Sequence, residues 1–242
     1  MSFSIDYPDY DQKYGKLLLH HKINFNTDPL LDSIQKDIIK TNNPSFAAFF
    51  AYEIPYHSYR MQEIILNSKS LPHILFFAQN INGSDIKALQ QAIIISSSKD
   101  RFKYLFQFAY SIPTADIKKI ELIIIEAAEN NPKLIRISYH FFRYIRCSNP
   151  NRFIKAILKY GIPSQWFYLA EKSQSRKEVA LIEKKLMEAN SFRYIRLVAQ
   201  NIPLANIQRL EKWVLASGNI VEIKKFAKAV KLSKVRHLAI LF

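Results

Sequence analysis

A phrase that returns six times constrains this chain more than any other feature. An apolar turn ending in Ala is followed by Ile-Pro or a near relative, then by a polar turn and a second apolar run. It reads FFAYEIP from Phe49, FFAQNIN from Phe76, QFAYSIP from Gln107 and LVAQNIP from Leu197, with weaker echoes in FYLAEKS from Phe167 and KKFAKAV from Lys224. The shared alanines are Ala51, Ala78, Ala109, Ala170, Ala199 and Ala227, at steps of 27, 31, 61, 29 and 28 residues, the long step holding two units with a degenerate copy between them. The mean period is therefore about 29 residues, and a period between about 20 and 50 residues is the signature of a solenoid.

Local chemistry predicts two helices per unit. In RFKYLFQFAY from Arg101, the residues Phe102, Leu105, Phe106 and Ala109 fall on one helical face, which predicts a first helix that buries that face. Pro113 disfavours helical geometry at Ile112 and ends it. Thr114 is then expected to cap a second helix, with Asp116 in its first turn against the positive dipole end and an apolar stripe of Ile117, Ile120, Ile123 and Ile124. Asn82, Gly83, Ser84 and Asp85 make the same corner in another unit, as do Pro203, Leu204, Ala205 and Asn206. Asp85 and Asp116 read as helix starters rather than as catalytic acids. The alanines read as the small side chains that helices need where they approach closest.

On these residues the chain resembles short α-solenoid repeats of the HEAT-like kind, and more narrowly the tandem FAxxIPxADIxxLxxAI repeat of bacterial and phage proteins of unassigned function. The likeness covers Asn43 to about Phe242 and is clearest in FAQNINGSDIKALQQAI from Phe77 and FAYSIPTADIKKIELII from Phe108; it is poor between Asn131 and Lys159. The resemblance implies a stacked superhelix and brings no catalytic residue. The expected fold is thus all-α, a right-handed α-solenoid of about six to seven two-helix repeats. Residues 28–242 are expected to form one solenoid domain, with a capping helix over 28–42 and an extended arm over 1–27 that carries Tyr7, Tyr10 and Tyr14.

Composition narrows the function classes. Half the chain is apolar and only four residues are Gly, which argues against disorder and against glycine loops that cradle phosphates. A single cysteine, Cys147, cannot form an internal disulfide, so a reducing compartment is expected. The N-terminus lacks the basic start and apolar run of a secretory signal, and IELIIIEAAE from Ile120 is interrupted by Glu126 before it could span a membrane. A cytoplasmic protein is expected, with delivery into a host cell open to it.

Charge is the second signal. Residues 1–121 hold 13 Lys or Arg against 12 Asp or Glu, whereas residues 122–242 hold 22 against 8, with no Asp after Asp116. Such asymmetry points to an anionic partner for the second half. Three clusters carry it: HFFRYIRCSNPNRFIKAILKY from His140, SFRYIR from Ser191 and EIKKFAKAVKLSKVRH from Glu222. The candidate binding residues are Arg143, Arg146, Arg152, Lys155, Lys159, Arg193, Arg196, Lys224, Lys225, Lys228 and Lys231. FRYIR occurs at Phe142 and Phe192, but Phe192 lies seven residues before its repeat alanine while Phe142 falls late in a helix that reads as longer. The two copies are therefore not one motif.

No metal, cofactor or nucleophile pattern emerges. His20 and His21 are adjacent, His57, His73, His140 and His237 are scattered, and no HExxH, GxSxG, GxxxxGK[ST] or paired-Cys pattern is present. The helical-repeat alkylpurine DNA glycosylases resemble this chain in length, charge and paired-helix pattern. Trp166 and Trp213 could serve an extruded base there, with Glu171, Glu178 or Glu211 as the acid. The leading expectation is instead a non-enzymatic adaptor for a protein partner, in a bacterial or phage assembly, as an effector or as a secretion-machine accessory. Sequence-tolerant nucleic-acid binding through the basic half is the alternative, and docking of the basic amphipathic C-terminal segment on an anionic membrane a further one.

Overall fold

A computed structural model describes residues 29–54 and 58–230 of the chain, and among these it is all-helical, with fourteen α-helices, one 3-10 turn and no strand. The expected capping helix is α1, Pro29–Thr41, and the expected N-terminal arm lies outside the described residues. There follow α2 (Pro44–Glu53), α3 (Ser58–Ser68), α4 (Leu71–Asn80), α5 (Ile86–Ile95), α6 (Arg101–Ser111) and α7 (Ile117–Asn130). After the 3-10 turn Pro132–Leu134 come α8 (Ile135–Tyr144), α9 (Pro150–Tyr160), α10 (Pro163–Lys172), α11 (Arg176–Glu188), α12 (Phe192–Asn201), α13 (Ile207–Ala216) and α14 (Ile220–Ala229). Two compact units divide the chain: residues 1–124 with 144–147, and residues 125–143 with 148–242.

Within the N-terminal unit α2 packs on α3 and α4, and α4 in turn on α5 and α6. Within the C-terminal unit α10 packs on α11 and α12, and α12 on α13 and α14. Every alanine of the repeated phrase lies in one of these alternating helices, and all six are buried. The residue before each one is buried as well: Phe50, Phe77, Phe108, Leu169, Val198 and Phe226. Three residues beyond the alanine the helix closes. Ile54, Ile81, Ile112, Ile202 and Val230 leave helical geometry but still donate their N–H to the carbonyls of Phe50, Phe77, Phe108, Val198 and Phe226. Their own side chains are buried, so each helix ends by turning an apolar residue into the core.

The second helices start on side-chain caps. Asp85 accepts from Ala88 N–H at 3.0 Å, Asp116 from Lys119 N–H at 3.0 Å and Asn206 from Arg209 N–H at 3.0 Å. The cap before α7 is thus Asp116 and not Thr114. Ala115 N–H closes a turn on Ile112 C=O at 3.1 Å, which uses Pro113 and Thr114 for the corner and delays the helix by two residues. The buried faces also differ from the expected ones. In α6 the buried residues are Tyr104, Leu105, Phe108 and Ala109, with Phe102 and Phe106 only half-buried. A helix packed on several neighbours buries flanks as well as one stripe. In α7 the stripe runs through Ile120, Glu121, Ile124, Ile125 and Ala128, and Ile117 and Ile123 lie beside it.

Buried polar side chains tie one second helix to the start of the next. Gln62 on α3 accepts the Asp85 N–H at 2.8 Å, Gln90 on α5 accepts the Asp116 N–H at 2.8 Å, and Glu183 on α11 accepts the Asn206 N–H at 2.7 Å. Gln90 also donates from Nε2 to the Asp116 carbonyl at 3.4 Å. Each rung satisfies a backbone donor that burial would otherwise orphan. The alanine row and these rungs fix how the helices approach, and they leave the opposite side of the alanine-bearing helices to solvent.

The weakly matching stretch between Asn131 and Lys159 is also a helix pair. Ile145 is buried just past the end of α8, as Ile112 is past α6, which puts Phe142 in the register of the alanine. A bulky ring there, half-buried and 6.1 Å from Phe153, disguises the phrase. The helix holding Phe142 is ten residues, its apparent extra length being the 3-10 turn that runs into it.

Candidate functional site

The residue that directly follows each alanine, or Phe142 in its place, faces solvent: Tyr52, Gln79, Tyr110, Arg143, Glu171, Gln200 and Lys228 are all exposed. Several of these side chains lean on the helix that comes next in the row. The Tyr52 ring is 6.1 Å from Phe76. Gln79 Nε2 donates to Ser111 Oγ at 2.8 Å. The Arg143 guanidinium lies over the Tyr168 ring at 4.9 Å. These positions are aromatic or neutral in the N-terminal unit (Tyr52, Gln79 and Tyr110), and in the C-terminal unit they hold two cations, Arg143 and Lys228, with Glu171 and Gln200.

Around Arg143 the C-terminal unit assembles a cation–aromatic cluster. Arg143 also donates to Tyr139 Oη at 3.1 Å, and the Tyr139 ring meets Tyr168 edge-on with centroids 5.5 Å apart. Lys172 Nζ also lies over the Tyr168 ring, 6.0 Å from its centroid. Contacts of this kind are worth about 0.5–1 kcal/mol each when exposed, and here they fix a guanidinium that would otherwise sweep freely. His140 packs against Tyr139 at 5.5 Å. Burial, and then the charges of Arg136 and Arg143, hold its pKa below the usual histidine value, so it adds no charge at neutral pH. A second centre lies on α12, where Arg193 sits over Tyr194 at 5.6 Å and Tyr194 contacts Phe167 at 6.1 Å.

The candidate residues do not form one patch. Arg143 lies on α8, where Phe142 takes the alanine's register; Arg193, Arg196, Lys224, Lys225 and Lys228 lie on the alanine-bearing helices α12 and α14, and Arg152, Lys155 and Lys159 on α9. Arg146 falls in the turn after α8, within the residues of the N-terminal unit, and Lys231 lies outside the described residues. Some are committed to internal pairs. Arg152 binds Glu129 through two contacts, at 2.6 and 3.3 Å. Arg196 and Lys225 converge on Glu222 at 3.0 and 2.7 Å. Those bonds, Lys225 foremost, hold the Glu222 carboxyl below its usual pKa. Tyr139, Tyr168 and Lys172 complete the cluster without having stood out in the sequence. Aligning the outward position of each unit would have found Arg143 beside Tyr168.

Other chemistry-bearing residues have structural surroundings. Trp166 is buried, with its indole N–H given to Ile157 C=O at 2.9 Å, and Trp213 packs against Phe192 at 4.9 Å. Glu178 accepts from Ser173 Oγ at 2.7 Å at the start of α11. His73 bridges Ser45 Oγ at 3.0 Å and Ser70 Oγ at 2.7 Å, which links α2 to the start of α4, and burial lowers its pKa. Cys147 is half-buried, its S–H directed at Ile145 C=O, and burial aided by Glu121 pushes its pKa up to about 12. His20, His21, His57 and His237 lie outside the described residues. Among the described residues no three His, Cys, Asp or Glu side chains converge as a metal site requires, and no helix is long and apolar enough to cross a membrane. Comparison with protein-family models, with curated proteins and with solved structures gave no match.

Proposed function

We propose that the chain is a non-enzymatic adaptor that binds an acidic protein partner along the outward row of its C-terminal unit. The observation that carries this reading is the Arg143–Tyr168–Lys172 cluster, in a unit whose described residues hold 18 Lys or Arg against 8 Glu and no Asp. A guanidinium restrained over an aromatic ring has less side-chain freedom to lose on binding, and guanidinium groups suit paired carboxylate oxygens. The recurrent registers of alanine, closing residue and polar rung support an α-solenoid of two-helix repeats with a period near 29 residues. They also support kinship with the bacterial and phage FAxxIP repeats, and a cytoplasmic working place fits such an adaptor.

The test is affinity capture by the purified full chain beside a variant with Arg143→Glu, Lys172→Glu, Arg193→Glu and Lys228→Glu. A stoichiometric protein that survives nuclease treatment, elutes with salt and is lost from the variant is the expected result. Equal retention of the partner by the variant would remove the proposed face. Arg143 and Arg193, each held over a tyrosine, also favour a second reading, sequence-tolerant binding of nucleic acid. It predicts nuclease-sensitive capture and affinity for labelled DNA or RNA that falls steeply with salt.

A further inference from the structure

The corner between α4 and α5 differs chemically from its counterparts. Ile81, Ile112 and Ile202 close their helices in the same way, each donating its N–H four residues back. After Ile112 and Ile202 the chain turns on Pro113–Thr114 and Pro203–Leu204; after Ile81 it turns on Asn82–Gly83, the only Asn-Gly pair in the sequence. Without the proline this corner is held more loosely. Ser84 N–H reaches the Ile81 carbonyl at 3.4 Å, whereas Ala115 and Ala205 close on Ile112 and Ile202 at 3.1 and 3.0 Å. Gly83 sits at φ +78, which glycine adopts without strain.

Both groups that react in an asparagine ring closure are free here. Asn82 and Gly83 are exposed, and beyond its chain neighbours no atom lies within 4 Å of the place a Gly83 Cβ would take. Among the described residues, neither the Asn82 side-chain amide nor the Gly83 N–H has a hydrogen-bond partner. Glycine also leaves its own nitrogen unhindered. The two Asn-Ser pairs of the chain differ in this respect. Ser68, after Asn67, ends α3, whose helical ladder takes its N–H. Ser191, after Asn190, donates its N–H to the Leu186 carbonyl at 3.0 Å.

We infer that Asn82 is a self-modification site, at which the folded chain deamidates through a succinimide to aspartate and isoaspartate. Gly83 N loses its proton to solvent base and attacks Asn82 Cγ; the Cγ–Nδ2 bond breaks, and Nδ2 leaves as ammonia. Water then opens the ring. Cleavage between the nitrogen and Cγ leaves aspartate. Cleavage between the nitrogen and the Asn82 carbonyl carbon leaves isoaspartate, with the main chain running through Cγ. In balance, one water enters and one ammonia leaves. Either product adds one negative charge. Isoaspartate also lengthens the main chain between Ile81 and Gly83 by one atom, which displaces the turn that brings the Asp85 N–H to Gln62 at 2.8 Å. The corner is thus a clock built into the N-terminal unit, independent of the cationic cluster of the other unit.

The experiment is timed incubation of the purified full chain from neutral to mildly alkaline pH, folded and in guanidinium chloride, followed by peptide mapping with mass spectrometry. Isoaspartate is read by transfer of a labelled methyl group from a purified isoaspartyl methyltransferase. The expected result is a gain of one dalton and methyl acceptance in the peptide that holds residue 82, both faster as pH rises. Folding should slow the reaction at Asn82 by less than about tenfold and at Asn67 and Asn190 by more, because the N–H that follows each of those must first be released by local opening. Asn82→Pro restores the residue of the other corners, and Ile81 is already extended as a following proline requires. This variant should keep its helical circular dichroism and lose methyl acceptance in that peptide. Should it fail to fold, the comparison of folded and unfolded natural chain decides alone. An Asn82 amide that survives in the folded chain while the unfolded chain loses it, or equal slowing by folding at all three asparagines, would overturn the assignment.

Discussion

Glu183 occupies a rung that Gln62 and Gln90 fill with an amide, and the difference is one hydrogen. Gln90 accepts the N–H of the next cap and donates to its carbonyl. Ionised Glu183 accepts from Asn206 but has nothing to donate, and its Oε2 is buried without a hydrogen bond, 3.9 Å from Arg209. Burial raises its pKa, against the smaller opposing pull of the Asn206 N–H and Arg209. The folded chain therefore holds that proton more tightly than the unfolded one. The stability this contributes is complete below the unfolded value of 4.5 and is lost as pH rises through the raised folded value. Glu183→Gln, which always keeps its donor, should be more stable by about 1 kcal/mol at neutral pH. The gain should shrink to nothing below pH 4.5, measured by thermal melts across that range.

Helices in this chain begin and end by rule, and the rule separates two neighbouring residues that look alike in sequence. Asp116 caps α7 through Lys119 N–H while Thr114 occupies the corner. Asp116→Ala should cost about 1 kcal/mol, whereas Thr114→Ala should leave chemical denaturation nearly unchanged. Helix existence was legible from the phrase because Pro and the closing isoleucine punctuate it and because apolar spacing marks a buried face. The exact caps were not, since Thr and Asp both cap well and only the closed turn at Ala115 decides between them. The pair α8 and α9 was obscured by Phe142 in the alanine's place. The rungs were hidden for another reason: Gln and Glu on a helix read as solvent-facing, and only the distant N–H that each receives explains their burial.

Across the molecule, charge and aromatic surface are distributed unequally along one recurring frame. The sequence located the positive half but not the face, because a count of lysines and arginines does not reveal which pair with Glu129 and Glu222 and which lie over the rings of Tyr168 and Tyr194. Association with an acidic protein through such a face should be steered by long-range attraction. Raising salt, or introducing Lys228→Glu at the periphery, should slow the on-rate more than it speeds the off-rate, as stopped-flow or surface kinetics would resolve. Arg143→Ala, at the centre, should act mainly on the off-rate.

The positions directly after the alanines contribute little to the core, because the alanines, the closing residues and the buried rungs hold the helices together from the other side. Tyr52, Gln79, Tyr110, Arg143, Glu171, Gln200 and Lys228 can therefore be exchanged as a set of letters on an unchanged typeface. Were these positions to choose the partner, as proposed, that choice would be inherited separately from foldability. Under the proposed function, a new recognition text could be written one unit at a time, with each edit read by the ligand and by neighbours such as Phe76, Ser111 or Tyr168.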